Sequence, residues 1–301
     1  MDTVRTLLVD AFTDDPLAGN PAGVVPDADG LSAQQMQSIA NELSVSETAF
    51  LRSSEAADRR IRYVTPTQEV DLCGHATIGA FTHLYDEGLD PGTTTLETNV
   101  GVLDIDVEAD GTVWMTQDAP TVREVGVGYD RVAEALGVER AALEGAREDL
   151  PLAVSSTGLP FLIVPITYLS DLGAAEPRQQ RVEALTEDVD ATGVYCFTFD
   201  ALDAESTAHG RMFAPGAGVP EDPVTGTASG AVGAYLDRFR AFDDDFPDEL
   251  RLEQGHYVDR PGTVRVRVQT GGDVRVGGRG VTVLDGSMVV PAADGDDIIE
   301  V

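Results

Sequence analysis

Two short segments decide how this chain is read: DLCGHATIGAF, residues 71–81, and PVTGTASGAV, residues 223–232. Both contain Gly-x-Ala-[Thr/Ser] followed by a run of small and apolar residues, and Gly74 and Gly226 lie about half the chain apart. The first segment predicts a small-residue helix from about His75 to Asp86, entered through a Pro-containing turn. Working outward, other elements recur in the same order. NPAGVV at 20–25 has a counterpart in LPFLIV at 159–164, LSAQQMQSIANEL at 31–43 in PRQQRVEALTED, and TAFL in VYCFTF. In the first of these helices Ser32 and Gln35 form a capping-box pattern, and Met36, Ile39, Ala40 and Leu43 share one apolar face. Short strands are expected at 6–12, 59–64, 94–98, 102–107 and 112–116. The pattern is that of an internal duplication, and two related halves of short strands around a helix give an α+β class rather than an alternating βαβ layout. Residues 1–120 are expected to form the N-terminal half, 121–150 a helical connecting region, and 151–301 the C-terminal half.

Composition narrows the function classes. The 301 residues carry 53 Asp+Glu against 20 basic residues, all of them Arg, for a formal net charge of −33. Without lysine there is no Schiff-base or pyridoxal-phosphate chemistry and no Walker-A loop. Binding a phosphate backbone depends on releasing counterions from a basic surface, so nucleic acid is excluded as a partner, and an anionic membrane for the same reason. Two cysteines, Cys73 and Cys196, cannot build a disulfide framework or a four-thiolate zinc site. No stretch reaches the roughly 18 to 20 apolar residues that span a bilayer. The start of the chain lacks a signal-peptide pattern, so a cytoplasmic location is expected. Strong acidity with Arg and no Lys predicts a salt-adapted, halophilic protein whose self-repulsion eases as salt screens it.

The duplicated glycines carry the first chemical inference. A helix start has unpaired N–H groups and partial positive charge, and glycine lets a ligand approach the backbone. If the halves pack with pseudo-twofold symmetry, Gly74 and Gly226 face a common cleft and hold one small anion, most simply a carboxylate. Differences between the copies carry the rest. The first half has His75 where the second has Thr227; the second leads in with Glu221 and Asp222; and Glu47, whose counterpart lies near Gly193, belongs to one half only. Taken singly, each is better explained as a turn, cap or core residue.

DAFTDDPLAGNPAGVV, ELSVSETAFL, DLCGHATIGA, STGLPFLIVP, EDPVTGTASGA and EQGHYVDRPGTVRV together resemble the PhzF-like phenazine-biosynthesis isomerase family, in the family's order and from about residue 6 to residue 285. The resemblance implies a diaminopimelate epimerase-like fold of two halves, each a mostly antiparallel sheet wrapped around a central helix. It also implies a site between the halves and a homodimer. The reference reaction moves a proton between ring carbons of trans-2,3-dihydro-3-hydroxyanthranilate. By motif, the catalytic Glu matches Glu47, the Gly-His pair Gly74 and His75, and the Asp matches Asp222. Thr227 stands where the family often has Ser, keeping a hydroxyl and adding a methyl. No metal or organic cofactor is implied.

The residues agree with that chemistry. A proton shift in a conjugated acid needs one group that takes the proton and returns it, for which Glu47 is suited. Asp222 and His75 would orient the substrate and relay a proton, while Gly74, Gly226 and Thr227 hold the carboxylate. Two other readings remain. One is a racemase or epimerase with opposed bases, in which Cys73 is a candidate thiol although EDPVTGT offers no second one. The other is a small-acid binding or scaffold protein without turnover. His83, His209 and His256 show no ligand spacing with His75 and are expected to be structural or exposed.

Overall fold

The structure, a computed structural model, describes residues 2–147, 149–243, 245–269 and 271–292. It divides into two compact units. The first comprises the described residues up to Leu17, Pro21–Val113 and those from Arg279 onward; the second comprises Ala18–Asn20 and Trp114–Gly278.

In the first unit the strands are β1 (Thr3–Ala11), β2 (Asn20–Val25), β3 (Thr48–Arg52), β4 (Arg59–Val64), β5 (Glu69–Val70), β6 (Gly92–Thr98), β7 (Gly101–Val107) and, from the far end of the chain, β18 (Gly280–Val289). Helix α1 (Ala33–Leu43) joins β2 to β3, and α2 (Gly74–Asp86) follows β5. The second unit has β8 (Val113–Thr116), β9 (Thr121–Glu124), β10 (Ala153–Ser156), β11 (Pro160–Pro165), β12 (Gly193–Thr198), β13 (Ala208–Ala214), β14 (Val219–Asp222), β15 (Leu250–Gln254), β16 (Gly262–Val268) and β17 (Val274–Gly278). Its helices are α3 (Tyr129–Leu136), α4 (Arg140–Glu144), α5 (Leu169–Gly173), α6 (Gln179–Asp188) and α7 (Gly226–Arg238).

The duplication predicted from sequence is repeated in the strand pairing. In the first unit β2–β3 is parallel, β3–β4 antiparallel, β4–β6 parallel and β6–β7 antiparallel. In the second, β11–β12, β12–β13, β13–β15 and β15–β16 follow the same alternation. The short strands β5 and β14 each add on to the middle strand, β4 or β13. Each first parallel pair is joined through helical chain, α1 in one unit and α5 with α6 in the other, as a parallel connection requires.

Each sheet wraps its own buried helix. Ala76 through Leu84 of α2 are all buried, as are Gly226 and Ala228 through Leu236 of α7, so neither helix keeps a polar face. Small residues let the strands close in: a Cβ on Gly233 would lie 2.6 Å from Val266 Cγ1, and one on Gly230 would lie 2.9 Å from Val276 Cγ2. Outer helices cover other faces of the sheets. Met36, Ile39 and Ala40 of α1 pack with Phe50 and Val64, and the Ser32–Gln35 capping box is formed. Strands β12 and β13 are buried at every residue, consistent with cover on both sides.

Two expected boundaries differ from the structure. Residues 121–150 do not act as a free connector. β9 pairs with β10, and Val132, Leu136, Ala142 and Leu143 are buried in one core with Val164, Val182 and Val194. The last strand leaves the C-terminal half: β18 pairs with β1 from Thr3↔Val289 to Ala11↔Gly280. Sequence periodicity locates such a strand but does not name its partner, which is set by long-range pairing.

Candidate active site

In the first unit, Glu47 precedes β3 and His75 occupies the first turn of α2. The turn between α1 and β3 begins with Ser44 in a left-handed conformation, φ 54°. This brings Glu47 Oε2 to 3.3 Å from His75 Nε2. Ser46 Oγ is also 3.3 Å from Nε2, and Cys73 Sγ is 3.4 Å from Nδ1. The tautomer protonated at Nε2 meets all three contacts: Nε2–H is shared by Glu47 and Ser46, and Nδ1 accepts from the thiol. The Glu47 and His75 side chains are 23% and 13% exposed, so both combine shelter with access to solvent.

The start of α2 is held from within. Thr77 Oγ1 donates to Cys73 O at 2.7 Å, and the Tyr63 hydroxyl, 2.6 Å from the same Oγ1, completes a buried chain. Burial pushes the Tyr63 phenol well above its ordinary pKa, despite the opposing Thr77 hydrogen bond. Among the described residues no side chain caps α2, and apart from its chain neighbours and its own helix backbone nothing lies within 4 Å of the position a Cβ on Gly74 would take. Its backbone is thus open to close approach.

In the second unit, β14 separates the two acidic residues of EDP by its alternation. Glu221 turns to Arg211, taking Nε and Nη2 at 2.8 Å each, while Arg211 Nη1 donates to the carbonyls of Leu172 and Ala175. Asp222 turns instead toward the start of α7. Its Oδ1 accepts from Asn20 Nδ2 at 3.1 Å, and its Oδ2 accepts from Thr225 Oγ1. Asn20 Nδ2 also donates to Val224 O at 2.8 Å. Gln254, fully buried, ties the loop down by donating to Asp222 O at 2.7 Å and accepting from Thr225 N at 3.1 Å. Gly226 is buried at the first position of α7, which also lacks a side-chain cap. Thr227, half-buried, accepts from Thr157 Oγ1 through its backbone carbonyl at 3.2 Å. Its Cγ2 would lie 3.7 Å from a Cβ on Gly158.

The structure therefore brings Glu47, Gly74 and His75 together in one unit, and Asp222, Gly226 and Thr227 in the other. Ser46, Asn20, Thr225 and Gln254 are contributors that sequence reasoning did not single out. Each stood inside or beside a motif already noted, but only coordinates show where its side chain turns. Cys196, expected in the core, is buried in β12, and burial pushes its thiol up to about 12. Among the described residues, two side-chain sets have donors close enough to hold a metal ion: Glu47, Cys73 and His75, and, separately, His209, Glu253 and His256. The latter two histidines were not connected by sequence reading.

The family profile described as "Phenazine biosynthesis-like protein" (PhzC-PhzF) matches residues 9–286. The chain belongs to this family. An uncharacterised isomerase of Bacillus subtilis is 35% identical over 297 residues, with 96% of this chain and 99% of that protein covered. Trans-2,3-dihydro-3-hydroxyanthranilate isomerase of Pseudomonas aeruginosa is 33% identical over 291 residues, covering 94% and 98%. Among solved structures, a PhzF-family phenazine biosynthesis protein of Bacillus anthracis superposes with a TM-score of 0.87 at 34% identity, covering 96% of this chain and all of that one. The α+β fold of this chain is thus the fold of its family. Among the described residues no helix is long and apolar enough to cross a membrane.

Proposed function

We propose that the protein is an isomerase that shifts a proton within a small carboxylic acid and uses no organic cofactor. The observation that carries this reading is the Glu47 carboxylate set against the His75 imidazole at 3.3 Å, both only partly shielded from solvent. Glu47 takes the proton from one carbon and returns it to another. His75, protonated at Nε2, holds that carboxylate and restores its position between the two steps. A carboxylate shuttle of this kind contributes about 10²- to 10⁴-fold. Asp222, held by Asn20 and Thr225, is suited to orient a substrate amine or hydroxyl, because a carboxylate accepts from either. Backbone N–H groups around Gly74 and Gly226, with the Thr227 hydroxyl, are assigned to the substrate carboxylate and to the enolate-like charge that develops as the proton leaves. The named activity of the Pseudomonas aeruginosa relative supports a dihydroaromatic acid as the first substrate to try.

One contact favours a second reading. Cys73 Sγ at 3.4 Å from His75 Nδ1 is placed as an activated thiol would be, which suits a racemase or epimerase. Against it, the other half supplies no matching thiol, since Cys196 is buried in β12. Full turnover by Cys73→Ala supports the carboxylate mechanism, and complete loss supports the thiol. The proposal itself is tested with trans-2,3-dihydro-3-hydroxyanthranilate and a panel of small carboxylic acids. Isomerisation by wild type that is lost in both Glu47→Gln and Asp222→Asn, with ligand binding kept in the first, is expected. Equal binding in wild type and Glu47→Gln, with no proton exchange in either across the panel, would mark a binding protein instead.

A further inference from the structure

The proposed chemistry leaves unused a second cluster, built wholly within the second unit. His209 lies on β13 and Glu253 is its direct register partner on the parallel strand β15. His256 follows Gly255, whose φ of +88° turns the chain just past β15. That turn admits only glycine, since a Cβ on residue 255 would meet Arg260 O at 2.1 Å and Pro223 O at 2.7 Å. The His209 and His256 ring centroids are 4.8 Å apart, and one ligand atom from each of the three residues lies within 4.8 Å of the others.

Two features set this cluster apart from ordinary packing. His209 is wholly buried, its Nδ1 is 2.8 Å from Glu253 Oε2, and its Nε2 has no hydrogen-bond partner among the described residues. The buried Nδ1 of His256 likewise has none among them. Glu253 is fixed in turn, accepting from the N–H groups of Leu202 at 3.0 Å and Asp203 at 2.7 Å. A carboxylate so placed keeps the His209 proton on Nδ1 and leaves a lone pair on Nε2, the arrangement that prepares a histidine for a metal. The nearby Arg211, 4.7 Å from the Tyr257 ring, does not oppose a cation with its full charge because Glu221 pairs with it bidentately.

We propose that His209 Nε2 and His256 Nδ1 bind a divalent transition metal of the zinc, cobalt or nickel kind, with Glu253 as the outer carboxylate and water completing the shell. Imidazole donors favour these ions over magnesium and calcium, which prefer oxygen. The ion ties β13 to the turn after β15 through His256, two residues beyond the Gln254 that holds the Asp222 loop.

Zinc calorimetry tests this in molar KCl with millimolar Mg2+ present to occupy surface carboxylates. A Cys73→Ser/His75→Gln chain removes the other donor set. One saturable zinc site per chain is expected, and adding Glu253→Gln weakens it about 10- to 100-fold. Adding His256→Gln abolishes it, whereas His256→Cys, another zinc ligand, keeps it. Cobalt loading gives a readout that needs no change at residues 209, 253 or 256: two contact-shifted imidazole N–H proton signals, one from each histidine. Absence of a stoichiometric site, binding undisturbed by His256→Gln, or a cobalt form without those signals overturns the proposal.

Discussion

Replacing Glu221 by Gln removes one charge from a pair that the second unit has buried. The side chains of Arg211 and Glu221 are only 7% and 16% exposed, and two N–H···O contacts of 2.8 Å join them. In Glu221→Gln the guanidinium stays in place, because Nη1 still donates to Leu172 O and Ala175 O. Its charge then stays buried without a counter-charge from residue 221. Breaking a buried pair from one side costs about 3–5 kcal/mol, roughly a 10²- to 10⁴-fold change in the folding equilibrium. Arg211→Met is costly for a different reason, since it takes the guanidinium donor from both carbonyls, although Leu172 O still accepts from the Ala175 N–H at 3.3 Å. The double variant should cost less than the sum of the singles by at least about 1 kcal/mol, since it no longer buries an uncompensated charge. Urea denaturation at fixed molar KCl measures this through Trp114. It is the one tryptophan of the chain, wholly buried beside Gly277, so it reports the second unit. A lower midpoint at unchanged m-value is expected. A cost below about 1 kcal/mol, typical of a solvent-exposed pair, would refute the reasoning.

Three further outcomes follow from other features. Gly210→Ala would place a Cβ 2.2 Å from the Tyr195 hydroxyl oxygen and 2.4 Å from Cζ. An overpacking loss of about 1–3 kcal/mol is expected by the same urea assay, and an unchanged midpoint would contradict it. Of the two thiols, only Cys73 should react with a disulfide reagent at pH 8 in the native state. Cys196, wholly buried and with its thiol pushed up to about 12, should react only in denaturant, and two fast native thiols would contradict the assignment. The net charge of −33 should make melting rise from low to molar salt as self-repulsion is screened, and a melting temperature independent of salt would dismiss a halophilic character.

The duplication was legible because it shows in residue types: glycine and small residues where a helix must be enclosed, and β-branched and aromatic runs on either side. The capping box of α1 and its Met36, Ile39 and Ala40 face were legible for the same local reason. The partner of β18 was not, since a strand carries its own periodicity but not its neighbour's identity. Nor was the role of residues 121–150, whose apolar face reads as a connector until the core that buries it is known. Glu47 and His75 in the first unit and Asp222 in the second could be named as candidates because half-to-half differences and a family resemblance coincide at them. Ser46, Asn20 and Gln254 act through the direction of a single side chain, which no spacing encodes. The divergence of Glu221 and Asp222 shows how close that limit lies. The two residues are adjacent in sequence, yet one forms a buried ion pair and the other turns to the start of α7.

Proton NMR in D2O at high salt tests the central claim most directly. Wild type and Glu47→Gln are followed side by side on trans-2,3-dihydro-3-hydroxyanthranilate and on any panel acid that wild type converts. The account predicts isomerisation with deuterium entering the carbon that gains the proton, and a rate at least about 10²-fold lower in Glu47→Gln. Conversion by Glu47→Gln at close to the wild-type rate would contradict it.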